Sequence, residues 1–72
     1  MEFAKKETVL DTLKNGGELI ERKNFGFFYL AERLGGNTIA RVRRDTALKI
    51  IREAESHFIS DGDLTIRYYF KG

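Results

Sequence analysis

The stretch Phe25-Gly26-Phe27-Phe28-Tyr29-Leu30-Ala31-Glu32-Arg33-Leu34-Gly35-Gly36 decides how this chain folds. Two readings compete for residues 27–33: an extended strand or a helix. Three consecutive aromatics, Phe27 to Tyr29, favour the strand, because flat side chains pack well on a pleated, half-buried surface. The loop Lys23-Asn24-Phe25-Gly26 then joins this strand to an earlier one at Glu18–Arg22 as a hairpin. A second turn at 34–37 leads into a third strand at 38–43.

Working outward, residues 3–14 read as an amphipathic helix. At 100° per residue Phe3, Val9, Leu10 and Leu13 fall within an arc of about 120°. Lys6 projects into that arc, so its stem must snorkel or the first turn must fray. Asn15-Gly16-Gly17 supplies the stop, since glycine takes the left-handed conformation freely. Downstream, Asp45 reads as the N-cap of a helix at about 46–57. Its apolar residues Ala47, Leu48, Ile50, Ile51, Ala54 and Phe58 span about 160°, wide enough for the central core helix. The chain closes on an alternating strand. Leu64, Ile66, Tyr68 and Phe70 point one way, and Thr65, Arg67, Tyr69 and Lys71 the other. Asp61-Gly62 before it is a strong hairpin signal. The fold class that follows is a compact α+β domain of order α-β-β-(β)-α-β-β, a single domain over residues 1–72.

Length and composition bound the function. A chain of 72 residues buries only about 60% of the surface its unfolded form exposes, so its core is thin. There is no cysteine, and one histidine offers no metal constellation. Stability therefore rests on apolar packing, for which 42% hydrophobic residues with six Phe and three Tyr suffice. The N-terminal residues lack the apolar run of a signal peptide, and no stretch approaches a membrane span. A cytoplasmic, cofactor-free protein with no membrane role is the expectation, either monomeric or homodimeric. The net charge is +2, from 13 basic and 11 acidic residues, too mild for bulk electrostatic binding of nucleic acid. The distribution says more: Arg41, Arg43 and Arg44 crowd together.

Leu30-Ala31-Glu32-Arg33-Leu34-Gly35 resembles the first helix and turn of a helix-turn-helix, and Thr38-Ile39-Ala40-Arg41 resembles the start of a recognition helix. That register puts Arg41 and Arg44 at positions where the family buries apolar side chains, which would cost several kcal/mol. The strand reading avoids this. Over most of the chain, a leading helix ending in Gly-Gly, a small sheet, a core helix capped by Asp45 and an Asp-Gly hairpin resemble small bacterial and phage winged-helix domains. The resemblance implies DNA binding in transcription regulation, with the final hairpin as the wing. It departs from the family in having strands at 27–44 where a helix is usual.

Catalysis has little to stand on. Ser56 and His57 are adjacent, but a triad needs a spatially placed carboxylate as well. His57 reads as a surface cap at the end of the core helix, where the dipole favours a cation. Gly35-Gly36-Asn37-Thr38 lacks the Gly-Lys-Thr sequel of a phosphate loop, and Asp61-Gly62-Asp63 lacks the spaced ligands of a calcium loop. The expectation is a binding protein and not an enzyme. Arg41, Arg43, Arg44, Arg67 and Lys71 are the candidate nucleic-acid contacts, holding duplex DNA by its phosphates. The alternative is a protein-binding adaptor or inhibitor that uses an exposed aromatic surface at Phe25, Phe28 and Tyr69, or a strand edge. Arginines contiguous on one face would favour nucleic acid; arginines paired with glutamates would favour protein.

Overall fold

A computed structural model describes residues 2–54 and 57–71. Its elements are α1 (Lys6–Lys14), β1 (Glu18–Arg22), β2 (Phe27–Ala31), β3 (Thr38–Val42), α2 (Arg44–Glu53), β4 (Phe58–Asp61) and β5 (Thr65–Phe70). The strands form one five-stranded antiparallel sheet in the order β3-β2-β1-β5-β4. The described residues thus form an α+β arrangement of two α-helices and one sheet, and residues 27–33 are extended up to Ala31, not helical.

Alternation along each strand sorts side chains onto two faces. Leu19 on β1 opposes Leu30 on β2 and Tyr68 on β5, and Phe28 opposes Val42 on β3. Leu19, Phe28, Leu30 and Val42 meet Val9 and Leu13 of α1 and Ala47 and Ile50 of α2 in one buried cluster, against which the half-buried Tyr68 packs. Both helices therefore pack on the same side of the sheet. Burying eight such side chains from water supplies the main folding force, at roughly 25 cal/mol per Å² of apolar surface. Lys6 Nζ lies 2.7 Å from a Glu53 carboxylate oxygen and ties α1 to α2 at the surface.

Several details differ from the expectations. Phe3 lies outside α1: Glu2–Ala4 runs as a strap beside β3, with the Ala4 N–H donating to the Arg41 carbonyl and the Arg41 N–H to the Glu2 carbonyl. Asp45 is not the cap of α2. The helix starts at Arg44, so Asp45 sits in its first turn, where a carboxylate favours the dipole without a capping hydrogen bond. Leu48 is 39% exposed because the sheet covers the side of α2 that carries Ala47 and Ile50. α2 ends at Glu53, before the anticipated 57; Glu55 and Ser56 lie outside the described residues. His57 leads into β4, its carbonyl accepting from the Lys71 N–H. Leu64 is in the turn and exposed, not in the core.

The final hairpin also differs from a free-standing wing. β5 pairs with β4 on one side and with β1 on the other, at Leu19↔Tyr68 through Arg22↔Thr65. Only its tip at 62–64 leaves the sheet. Two glycines set the geometry at the Glu18 and Ala31 end of the sheet. A Cβ on Gly17 would sit 2.6 Å from the Ala31 carbonyl oxygen, so the turn after α1 can press against β2 only without a side chain. Gly35, at φ +72°, takes a left-handed conformation that aims its N–H at Glu18 Oε1, 3.3 Å away.

Candidate nucleic-acid interface

With both helices on one side, the other side of the sheet stands open. Its residues follow from register: Ile20 and Arg22 on β1, Phe27 and Tyr29 on β2, Arg41 on β3, Thr65, Arg67 and Tyr69 on β5, and Ile59 and Asp61 on β4, with Asp61 opposite Arg67. Two rows cross the strands. Arg41, Tyr29, Ile20 and Arg67 stand opposite one another in turn, and Phe27, Arg22 and Thr65 form the next row.

At one corner three predicted arginines come together. Arg41, on β3, is half-buried, and its guanidinium carbon lies 5.1 Å from the Phe3 ring centroid and 4.7 Å from that of Phe27. Arg43, the residue before α2, lies over the same Phe3 ring at 5.4 Å. Arg44 opens the helix beside Gly26. These residues line a shallow depression of about 450 Å³. Among the described residues no carboxylate comes within 4.0 Å of the three guanidiniums. Their attraction to the aromatic faces is instead cation–π, about 0.5–1 kcal/mol at exposed sites. Arg41 Nε is buried with no hydrogen-bond partner among the described residues. Arg41 is therefore partly a packing residue, whereas Arg43 and Arg44 are exposed.

A second depression, about 430 Å³, lies mid-sheet. Its floor is Ile20; Arg22, Tyr29, Thr38, Thr65 and Arg67 surround it. The β2–β3 loop forms one wall by folding over the end of the open face, which buries Ala31 and Glu18. Glu18, 1% exposed, accepts the Gly35 N–H and stands 4.0 Å from Arg67 Nε. A buried carboxylate needs such partners, since an unpaired one is strongly disfavoured.

The predicted residues are thus divided. Arg41, Arg43 and Arg44 adjoin. Arg67 shares the open face but has a carboxylate partner, and Lys71 is exposed beyond the end of β5, outside both depressions. The aromatic set needs one correction. Phe28 is 2% exposed and belongs to the core, because its register with Val42 turns it toward the helices. Its neighbour Phe27 is 42% exposed in its place, beside Phe25 at 65%. Phe25 and Phe27 stack with centroids 6.4 Å apart, and Tyr69 is half-buried. Sequence reasoning missed Arg22, Phe27 and Tyr29. The parity of Ile20 with Arg22 was a usable signal, but only once β1 was known to lie mid-sheet.

On the covered side, the Tyr68 hydroxyl donates to Glu21 Oε1 at 3.0 Å. Burial, then that hydrogen bond, pushes the phenol up to about 12. Among the described residues there is no group of three or more His, Cys, Asp or Glu able to hold a metal ion, and no helix long and apolar enough to cross a membrane. No protein-family model, curated protein or solved structure matches the chain.

Proposed function

We propose that this chain binds nucleic acid, as a small accessory or regulatory protein, through the open face of its sheet. The observation that carries the reading is the gathering of Arg22, Arg41, Arg43 and Arg67 on and beside one face that no helix covers. Guanidiniums on a rigid surface suit phosphate contact, and a net charge of +2 calls for this local concentration. The same reading places the chain near small bacterial and phage winged-helix domains, on the strength of its leading helix, core helix and final hairpin. The strands β2 and β3 stand where those domains usually carry a helix, so the basic surface belongs to the sheet.

The test is fluorescence anisotropy with labelled oligonucleotides at low salt. Binding should weaken with a salt slope of about three to five neutralised charges. Replacing Arg22, Arg43 and Arg44 by Glu should abolish it and leave the melting temperature nearly unchanged, since exposed arginines contribute little to stability. Arg41 is left out of that variant because its guanidinium packs between two rings. Absence of binding at low salt would sink the proposal. A protein partner seated on Phe25, Phe27 and Tyr69 would then be the better reading, favoured by the exposure of the two phenylalanines.

A further inference from the structure

We infer that the open face takes single-stranded nucleic acid in preference to duplex, with unstacked bases on the exposed rings and a backbone phosphate in the mid-sheet depression. This rests on the nucleic-acid reading above and narrows it. Reading a duplex in its major groove requires an element that enters the groove, a helix or a two-stranded ribbon. Here both helices lie behind the sheet, and the final hairpin is held on both sides as part of it. What faces outward is a surface about 14 Å wide from the strand of Arg41 to that of Arg67, at three inter-strand spacings.

That surface carries aromatic faces that duplex DNA cannot use, because its bases already stack on one another. Phe25, Phe27 and Phe3 are 65%, 42% and 48% exposed. Phe25 and Phe27 lie nearly parallel, at an interplanar angle of 13°. Large exposed rings on a soluble surface are energetically unfavourable in isolation; single-strand binders use them as stacking platforms. Arg41 fixes the ring of Phe27 from one side, so little conformational freedom is lost when a base lands there.

The mid-sheet depression adds the backbone contact. Glu18 and the Gly35 N–H form a buried support for Arg67, approaching it at Nε, and among the described residues its Nη groups make no hydrogen bond, although Asp61 stands opposite it on β4. Arg22 lines the same depression from β1, together with Thr38 and Thr65. Two guanidiniums and two hydroxyls around an apolar floor suit a phosphodiester with its sugar. The charge complementarity is direct: Glu18 is committed to Arg67, and Arg22 has no carboxylate within 4.0 Å among the described residues. RNA and DNA share this chemistry, so both belong in the test.

The experiment measures anisotropy of labelled single-stranded DNA and RNA of about 12 nucleotides, and of the DNA duplex of the same sequence, with the whole chain at low salt. Single strands should bind at least about tenfold tighter than duplex. Phe27→Ala should weaken single-strand binding about tenfold, within the range found for loss of one base stack. Phe27→Leu keeps the apolar volume and should weaken it comparably, which guards against a folding effect. Arg22→Gln should lower the salt slope by about one. Duplex bound as tightly as single strand, with the arginine variants still defective, would overturn this inference and leave the nucleic-acid reading standing. Single-strand binding unmoved by both Phe27 variants and by Arg22→Gln would place the strand elsewhere and also overturn it. No binding of any oligonucleotide by the wild-type chain would remove both.

Discussion

The two faces of the sheet come from the same strands, one residue out of phase, and they are chemically opposite. Toward the helices the alternation presents Leu19, Phe28, Leu30 and Val42, none more than 3% exposed. Away from them it presents Ile20, Arg22, Phe27, Tyr29, Arg41 and Arg67. Phe27 and Phe28 are the sharpest instance, adjacent and identical, yet one is core and the other surface. The difference teaches that an aromatic residue here is defined by strand register and not by hydrophobicity. A slip of one residue would bury the arginines and expose the core, which is why such a register is strongly held.

The largest expected effect breaks that comparison directly. Phe28→Ala should destabilise the fold by about 3–5 kcal/mol, the range for a buried phenylalanine. Phe27→Ala should lose far less, about 1 kcal/mol, chiefly its contact with Arg41. Urea denaturation of both variants decides the matter, and equal losses would mean that the faces are assigned wrongly. The same contrast exists on α2. Ile50→Ala, at 0% exposure, should cost about 2–5 kcal/mol, and Leu48→Ala, at 39%, less than about 1 kcal/mol.

A third effect sharpens the role of the support beneath the open face. Arg67→Ala leaves the Glu18 carboxylate buried with one N–H partner, and should cost about 1–3 kcal/mol. Arg67→Ala combined with Glu18→Gln should recover part of that loss. A double-mutant cycle showing no coupling would disconnect the pair. The smallest effect is on the covered side. The Tyr68 phenol is held at about 12, above its unfolded value of about 10, by burial and by Glu21. Its contribution is therefore complete below about pH 10 and is lost as pH rises through about 12. Stability measured in urea across that interval should fall, and Tyr68→Phe should fall less steeply.

Much of the fold was legible because it is local. The aromatic run at 27–29, the alternation at 65–70 and the glycine stop after α1 each state their structure within a few residues. What was hidden depends on contacts far apart in the chain. Nothing in Glu2-Phe3-Ala4 says that it lies along Arg41, so Phe3 was absorbed into the helix. The helical wheel of α2 gave a wide apolar arc, but which part of it is covered depends on the sheet, and Leu48 fell outside. In Phe27-Phe28-Tyr29 no polar residue marks the outer side, so the sequence alone does not tell Phe28 from Phe27. The candidate site was legible in its cluster, Arg41, Arg43 and Arg44, because these are neighbours in sequence. Arg22, Tyr29 and Phe27 join it only through the order β3-β2-β1-β5, which strand patterns do not specify.

The strap at Glu2–Ala4 has a bearing on how copies of this chain could add to one another. Arg41 is the last residue but one of β3, and its backbone N–H and carbonyl are both bonded to the strap. At the opposite margin β4 keeps its outer side unpaired among the described residues. The strap thus blunts the β3 margin at Arg41, where an incoming strand would otherwise find free backbone groups, and leaves β4 as the more open margin of the sheet.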